Sequence, residues 1–267
     1  MLAAMAKTTG WRKLAVSVWK WPKDPQVYGR LETDAVPILE AIRELRARTG
    51  GRVTPTHLVM RAIALGLRDS PAMNTRLRFG RFVPRESVDV FAIVASGGGG
   101  DLSGVKVRKA DEKPAADIAR EMDERAEAAR ANKGELDKAK GMMAATPYLL
   151  LRPMLRLSAF LTSDLGRNFK RLGMPKEAFG SAMVTNVGVF GISEGWAPLS
   201  PLYRVPLIVL VGEIETRPWV VGDRVEPRPV LPLMATIDHR WVDGYGMAGF
   251  IETFKKYIAN PLAHEAI

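Results

Sequence analysis

The chain has 267 residues, enough for one large domain or two small ones with an ample core. Hydrophobic residues make up 47% and charged residues 25%, an ordinary globular balance. The absence of cysteine excludes disulfides, thiolate nucleophiles and thiolate metal sites, and only three histidines (His57, His239 and His264) argue against a histidine-rich metal centre.

The formal net charge is +10. Its bland reading is a solvated basic surface; the sharper ones are an anionic ligand such as a phosphorylated cofactor, an acidic partner protein, or an anionic membrane surface. No zinc-finger spacing, aromatic RNA-binding pattern or dense Lys/Arg run points to nucleic acid. Met1 to Thr9 is too short and too weakly apolar for a secretory leader, which leaves the cytoplasm as the default.

Residues 11–21 alternate Leu14, Val16 and Val18 as a strand does, and Tyr28 to Glu32 reads as a second short strand. Asp34 caps a helix with Pro37 in its first turn and Ile38, Ile42 and Leu45 on its inner face; Gly50-Gly51 stops it. Thr54-Pro55 starts another helix, with Leu58, Ala62 and Leu65 turned inward and His57 as a surface or cap residue. Val88 to Ala95 is strand-like. Gly97 to Gly100 then reads as a plain turn, because no Lys-Ser/Thr and no helix follow to make a phosphate loop. Gly104 to Arg108 resumes as a strand. Pro114 opens a long helix with Ile118, Met122, Ala126 and Ala129 along one face and charges on the other.

The segment from about 142 to 172 is unusual. Pro147 to Leu161 is strongly apolar, yet Arg152 and Arg156 interrupt it four residues apart with Pro153 between them. It is too short and too charged for a transmembrane helix. It reads either as a helix packed on the domain or in a subunit interface, or as an amphipathic segment lying on a membrane or partner. Downstream, Ser181 to Val187 and Val205 to Val211 read as strands, the latter uncharged and so buried. Val-Gly-Asp-Arg within Trp219 to Val225 marks a hairpin, and Leu231 to Asp238 is a further strand. A last helix ends near Asn260-Pro261. Helices and strands without strict alternation indicate an α+β fold with a mixed sheet.

Chemistry concentrates after that last strand, in Asp238-His239-Arg240-Trp241-Val242-Asp243-Gly244. A base-capable histidine stands where a strand leaves the sheet, and an aspartate stands at the next turn. Alone, His239-x-x-x-Asp243-Gly244 is more often a strand end followed by a turn than a site. The longer segment resembles the Asp-His-Arg-x-x-Asp-Gly motif of the 2-oxoacid dehydrogenase acyltransferases, the dihydrolipoamide acyltransferase cores similar in fold to chloramphenicol acetyltransferase. Met183-Val184-Thr185-Asn186-Val187-Gly188-Val189-Phe190-Gly191 resembles the family's Thr-Ile-Ser-Asn-Leu-Gly segment, and Val205 to Pro218 resembles its apolar strand and turn. Ala62 to Leu67, Pro71 to Asn74 and Val105 to Ala119 match in type and order.

The resemblance implies a coenzyme A-dependent acyltransferase. His239 is then the general base for an incoming thiol, hydroxyl or amine, a task neutral imidazole suits at pH 7. Thr185 stands at the family's serine position, where a hydroxyl donates to the oxyanion. Asp243 is structural and pairs with Arg12, with Asn186 and Gly244 supporting the site. The resemblance also implies a homotrimer with the site between subunits, larger assemblies of trimers, and coenzyme A entering at the interface. Neither a lipoyl domain nor a subunit-binding domain precedes the core, so the expectation is one domain over 1–267, a stand-alone form without its own lipoyl lysine. A separate lipoyl-carrying protein would supply the thiol. The expected fold is α+β with helices flanking the sheet, with no bound metal. Roughly thirty residues beyond the family pattern, at about 142–172, and a changed Gly97 to Gly104 stretch keep a second reading open: a non-catalytic trimeric scaffold, docking through the insertion.

Overall fold

The computed structural model describes residues 25–96, 101–130, 146–169, 175–200 and 204–265. The strand expected over 11–21, Arg12 and the glycines 97–100 lie outside these residues. In chain order the strands are β1 (Gln26–Asp34), β2 (Thr75–Arg78), β3 (Arg81–Pro84), β4 (Val90–Ser96), β5 (Asp101–Val107), β6 (Ala182–Asn186), β7 (Leu207–Val211), β8 (Glu215–Val221) and β9 (Arg224–Asp238). The α-helices are α1 (Val36–Thr49), α2 (Pro55–Asp69), α3 (Ala115–Arg130), α4 (Tyr148–Ala159) and α5 (Gly244–Ala259).

The main sheet runs β1-β9-β7-β6-β4-β5, with β8 beside the first half of β9. β4, β6 and β7 are parallel neighbours and the remaining pairs are antiparallel, the mixed sheet expected. The two-residue turn Gly222-Asp223 joins β8 to β9, with Val221 opposite Arg224. Gly222 has φ 62°, the left-handed conformation such turns require. β7 is buried at all five positions, as its uncharged run requires of a strand covered on both faces.

Alternation decides what each face of the sheet meets. Val90, Ala92, Ala182, Val184, Leu207, Val209 and Ile237 join the helices in the main core. The intervening Phe91, Met183 and Ile208 form a second cluster on the other face, with Val205 and half-buried Leu199 against it. α2 is buried from His57 to Leu67, so it is the central helix of the helical layer. Gly66 lets α5 approach: a Cβ there would lie 2.7 Å from the Phe250 ring.

Asp34 does serve α1, its Oδ1 accepting from Val36 N at 2.9 Å, and Gly50 ends that helix in the left-handed region at φ 66°. His57 differs from expectation. It is a cap, but a buried one, 5% exposed, whose Nδ1 accepts the Thr54 N–H at 3.0 Å. Only a neutral imidazole can accept there, and burial lowers its pKa from 6.5 to about 4.

This shift sets a pH dependence. The unfolded chain takes up the proton near pH 6.5 and the folded chain resists until about 4. Stability is therefore complete above 6.5 and falls as the pH drops towards 4, by about 3 kcal/mol for this residue. Urea midpoints measured from pH 7.5 to 4.5 should show that loss. His57→Gln, which keeps an acceptor without titrating, should flatten it.

Candidate active site

β9 carries Asp238 to the end of the sheet, and the chain leaves as a turn before α5. His239 is exposed there. Main-chain bonds hold its position: Asp238 N donates to Pro206 O at 2.9 Å, His239 N to Pro25 O at 2.9 Å, and Trp241 N to Asp238 O at 3.0 Å. The Asp238 carboxylate, 6% exposed, grips Arg240 with a forked pair of bonds, Nε to Oδ1 at 2.9 Å and Nη2 to Oδ2 at 2.5 Å. That bond raises the Arg240 pKa above its ordinary value. The guanidinium lies 5.5 Å from the Trp241 ring centroid, and Trp241 Nε1 donates to Thr75 O at 3.3 Å. These bonds lock the turn bearing His239 to β2 and to the residue before β1, and none of them uses the imidazole.

A cleft of about 840 Å³ adjoins this turn, lined among others by Phe79, Asp164, Arg204, Asp238, Arg240 and Trp241. Asp164 belongs to the π-helical turn Phe160–Asp164 that continues α4, and Arg204 Nη2 donates to its Oδ2 at 2.8 Å. The segment expected as an insertion therefore contributes a wall beside His239.

Asp243 is the N-cap of α5, its Oδ1 accepting from Gly246 N at 2.8 Å, and Gly244 is the first helical residue. The pairing expected between Asp243 and Arg12 lies outside the described residues. Thr185 is half-buried near the end of β6, opposite Ile93 of β4 and Leu210 of β7. Asn186 turns to the helical side, its Nδ2 donating to Thr56 Oγ1 at 2.8 Å, which ties the end of β6 to the first turn of α2. Gly188 then crosses the chain after β7 so closely that a Cβ would lie 2.5 Å from Gly212 O, a clash between backbones.

The register separates the two side chains expected to react, Thr185 and His239. Thr185 stands opposite Leu210, and Leu210 opposite Met234. His239 lies five residues farther along β9, about 16 Å at roughly 3.3 Å per residue. Within one chain, Thr185 and His239 occupy opposite ends of the sheet. Sequence reasoning assigned no role to Asp238 and Arg240; their i, i+2 spacing, which puts opposite charges on one side of an extended chain, is the signal that carries it. No cluster of three or more potential metal ligands occurs among the described residues.

The fold is that of the dihydrolipoamide acyltransferase catalytic cores. The Listeria monocytogenes probable dihydrolipoamide acetyltransferase superposes with a TM-score of 0.66 at 20% identity, covering 97% of this chain and 95% of that one. The Azotobacter vinelandii dihydrolipoamide acetyltransferase gives 0.65 at 21% identity over 90% and 84%. The model of the 2-oxoacid dehydrogenases acyltransferase (catalytic domain) family matches residues 12–145 and 170–264, and the chain belongs to that family. The match passes over residues 146–169. The Acholeplasma laidlawii dihydrolipoyllysine-residue acetyltransferase component of pyruvate dehydrogenase complex is 30% identical over 133 residues, 45% of this chain and 24% of that protein. The chain thus aligns with about a quarter of that relative's length.

Proposed function

We propose that this protein transfers acyl groups between coenzyme A and a thiol acceptor, and that each active site is completed by a neighbouring subunit. His239 takes the proton from the incoming thiol. The thiolate attacks the thioester carbonyl, and the Thr185 hydroxyl donates to the oxyanion that forms. Collapse breaks the carbon–sulfur bond of the donor, and the departing thiolate recovers the proton from imidazolium. Family membership supports the reaction class. In the Azotobacter vinelandii enzyme a serine, a histidine and an asparagine four positions beyond it were investigated for catalysis; here Asp243 stands four beyond His239.

The observation that carries the shared site is the separation of Thr185 and His239. A histidine at one end of the sheet and a hydroxyl at the other come together when a second copy sets its end against the first. A homotrimer closes such head-to-tail contacts with three equal sites. In this reading the chain is a single catalytic domain with one insertion at about 142–172, working in the cytoplasm with a separate lipoyl-carrying protein as acceptor.

Subunit mixing tests it. Thr185→Ala alone should lower turnover about a hundred- to a thousand-fold, as loss of one oxyanion donor does. When Thr185→Ala and His239→Ala chains are unfolded, mixed one to one and refolded, activity should recover to about a quarter of wild type, the chance that an interface draws an intact residue from each side. Mixed oligomers confirmed by mass spectrometry yet without recovery would sink the shared site.

A further inference from the structure

The segment that the family model passes over plays no part in the chemistry proposed above. Its helix α4 and the following turn carry no acidic residue before Asp164. At 100° per residue, Leu149, Pro153, Leu157 and Phe160 fall on one face. That face is open: Leu149 is 85% exposed, Leu157 58% and Phe160 40%, with Leu150 beside them at 60%. Arg152 and Arg156, one turn apart and both exposed, border it on one side. Leu151, Met154 and Leu155 on the opposite side are half-buried. So both faces of this helix are apolar, and among the described residues only one is covered.

The open face extends onto a second element. The Phe160 ring meets the Phe79 ring edge to face at 6.3 Å. Phe79 sits in the β2–β3 turn at φ 48° and is 69% exposed. Exposed apolar side chains scattered singly are normal on a protein surface; gathered into a continuous patch they mark an interaction site.

The charges indicate the occupant. A 12-residue helix is too short to span a bilayer, and no helix among the described residues is long and apolar enough to cross one. An apolar face bordered by arginines suits the plane of a lipid surface: leucines and aromatics enter the headgroup region, and guanidinium groups reach anionic phosphates. A second copy docking two-fold through the same face would oppose Arg152 and Arg156 to their own equivalents. We infer that α4 and the Phe79 turn form a docking surface for an anionic membrane, with Leu149, Leu157, Phe160 and Phe79 entering the lipid. Because Phe79 and Asp164 also line the cleft beside His239, docking sets that cleft near the lipid surface.

Vesicle flotation tests this, and it reads no catalysis, so its outcome is independent of the acyl-transfer proposal. Wild-type protein should float with phosphatidylcholine vesicles containing about 30% phosphatidylglycerol, and much less with phosphatidylcholine alone. Leu149→Ser/Leu157→Ser and Arg152→Glu/Arg156→Glu should each lower the bound fraction on anionic vesicles at least about tenfold. These side chains are exposed, so circular dichroism should be unchanged. Val220→Ser/Val225→Ser, at exposed positions of the β8–β9 hairpin, should float as wild type does. Failure of the wild type to float, or equal flotation of all variants, overturns the inference. A fall in solution mass of Leu149→Ser/Leu157→Ser, with no flotation of wild type, also overturns it and assigns the face to a subunit contact.

Discussion

His239→Ala is expected to lower acyl-transfer turnover by about a hundred- to ten-thousand-fold, the range that a positioned general base contributes. The measurement is release of free thiol from acyl-coenzyme A in the presence of a dithiol acceptor. The substitution should act on chemistry alone. The imidazole is exposed, and the position is held by main-chain bonds that alanine keeps, from His239 N to Pro25 O and from Asp238 N to Pro206 O. Thermal midpoint and solution mass should therefore match wild type, and KM for the acyl donor should stay within a few-fold while kcat falls. Equal turnover of wild type and variant would leave the fold as a scaffold and remove His239 from the chemistry.

The two segments of the proposed site were legible in sequence, while their relation was not. Asp238 to Gly244 and Met183 to Gly191 are local patterns, and each reads as a strand end with a reactive side chain. Their relation is not local. Whether Thr185 meets His239 in one chain depends on the register of β6 against β7 and of β7 against β9, which pairs positions up to 30 residues apart, first parallel and then antiparallel. The uncharged run at β7 announced its burial, and Gly222-Asp223 announced its hairpin, because a backbone conformation or a face demands those residues. His57 shows the opposite case. Its cap was visible in Thr54-Pro55, while its burial was not, because what covers the first turn of α2 comes from distant segments. The segment 146–169, which the family match passes over, announced its composition in the same way. The half-buried side of α4 and its open side are both leucine-rich, so the pattern alone could not separate the covered face from the free one.

Glu265→Ala should lower stability by about 3–5 kcal/mol, the cost of leaving a buried charge and its hydrogen-bonding neighbours without a partner. Glu265 has a side chain with no exposure, near the end of the described chain. Its Oε2 accepts the Ala115 N–H at 2.6 Å, placing a carboxylate at the N-terminus of α3, where the helix dipole favours it. Its Oε1 accepts the Tyr257 hydroxyl at 2.6 Å, joining α5 to the same point. Arg61 of the central helix lies 3.9 Å away and balances the charge, while its Nη1 donates to Asp111 O at 2.5 Å. Burial and the neighbouring carboxylate both push the Tyr257 pKa well up, so the phenol remains a donor at any ordinary pH. Removing the carboxylate strands the Tyr257 hydroxyl and the Ala115 N–H and leaves Arg61 uncompensated, three losses at a junction of α2, α3 and α5. Glu265→Gln restores one acceptor and an amide that can donate to the phenol oxygen, so it should fall between. Tyr257→Phe, which leaves the carboxylate on Ala115 and Arg61, should cost only about 1 kcal/mol. Differential scanning calorimetry reads the order: wild type, Tyr257→Phe, Glu265→Gln, Glu265→Ala, from highest to lowest midpoint. A midpoint for Glu265→Ala within about 2 °C of wild type would mean that less than about 1 kcal/mol rests on this junction. The clamp between the end of α5 and the start of α3 would then have to come from apolar packing around Tyr257 alone.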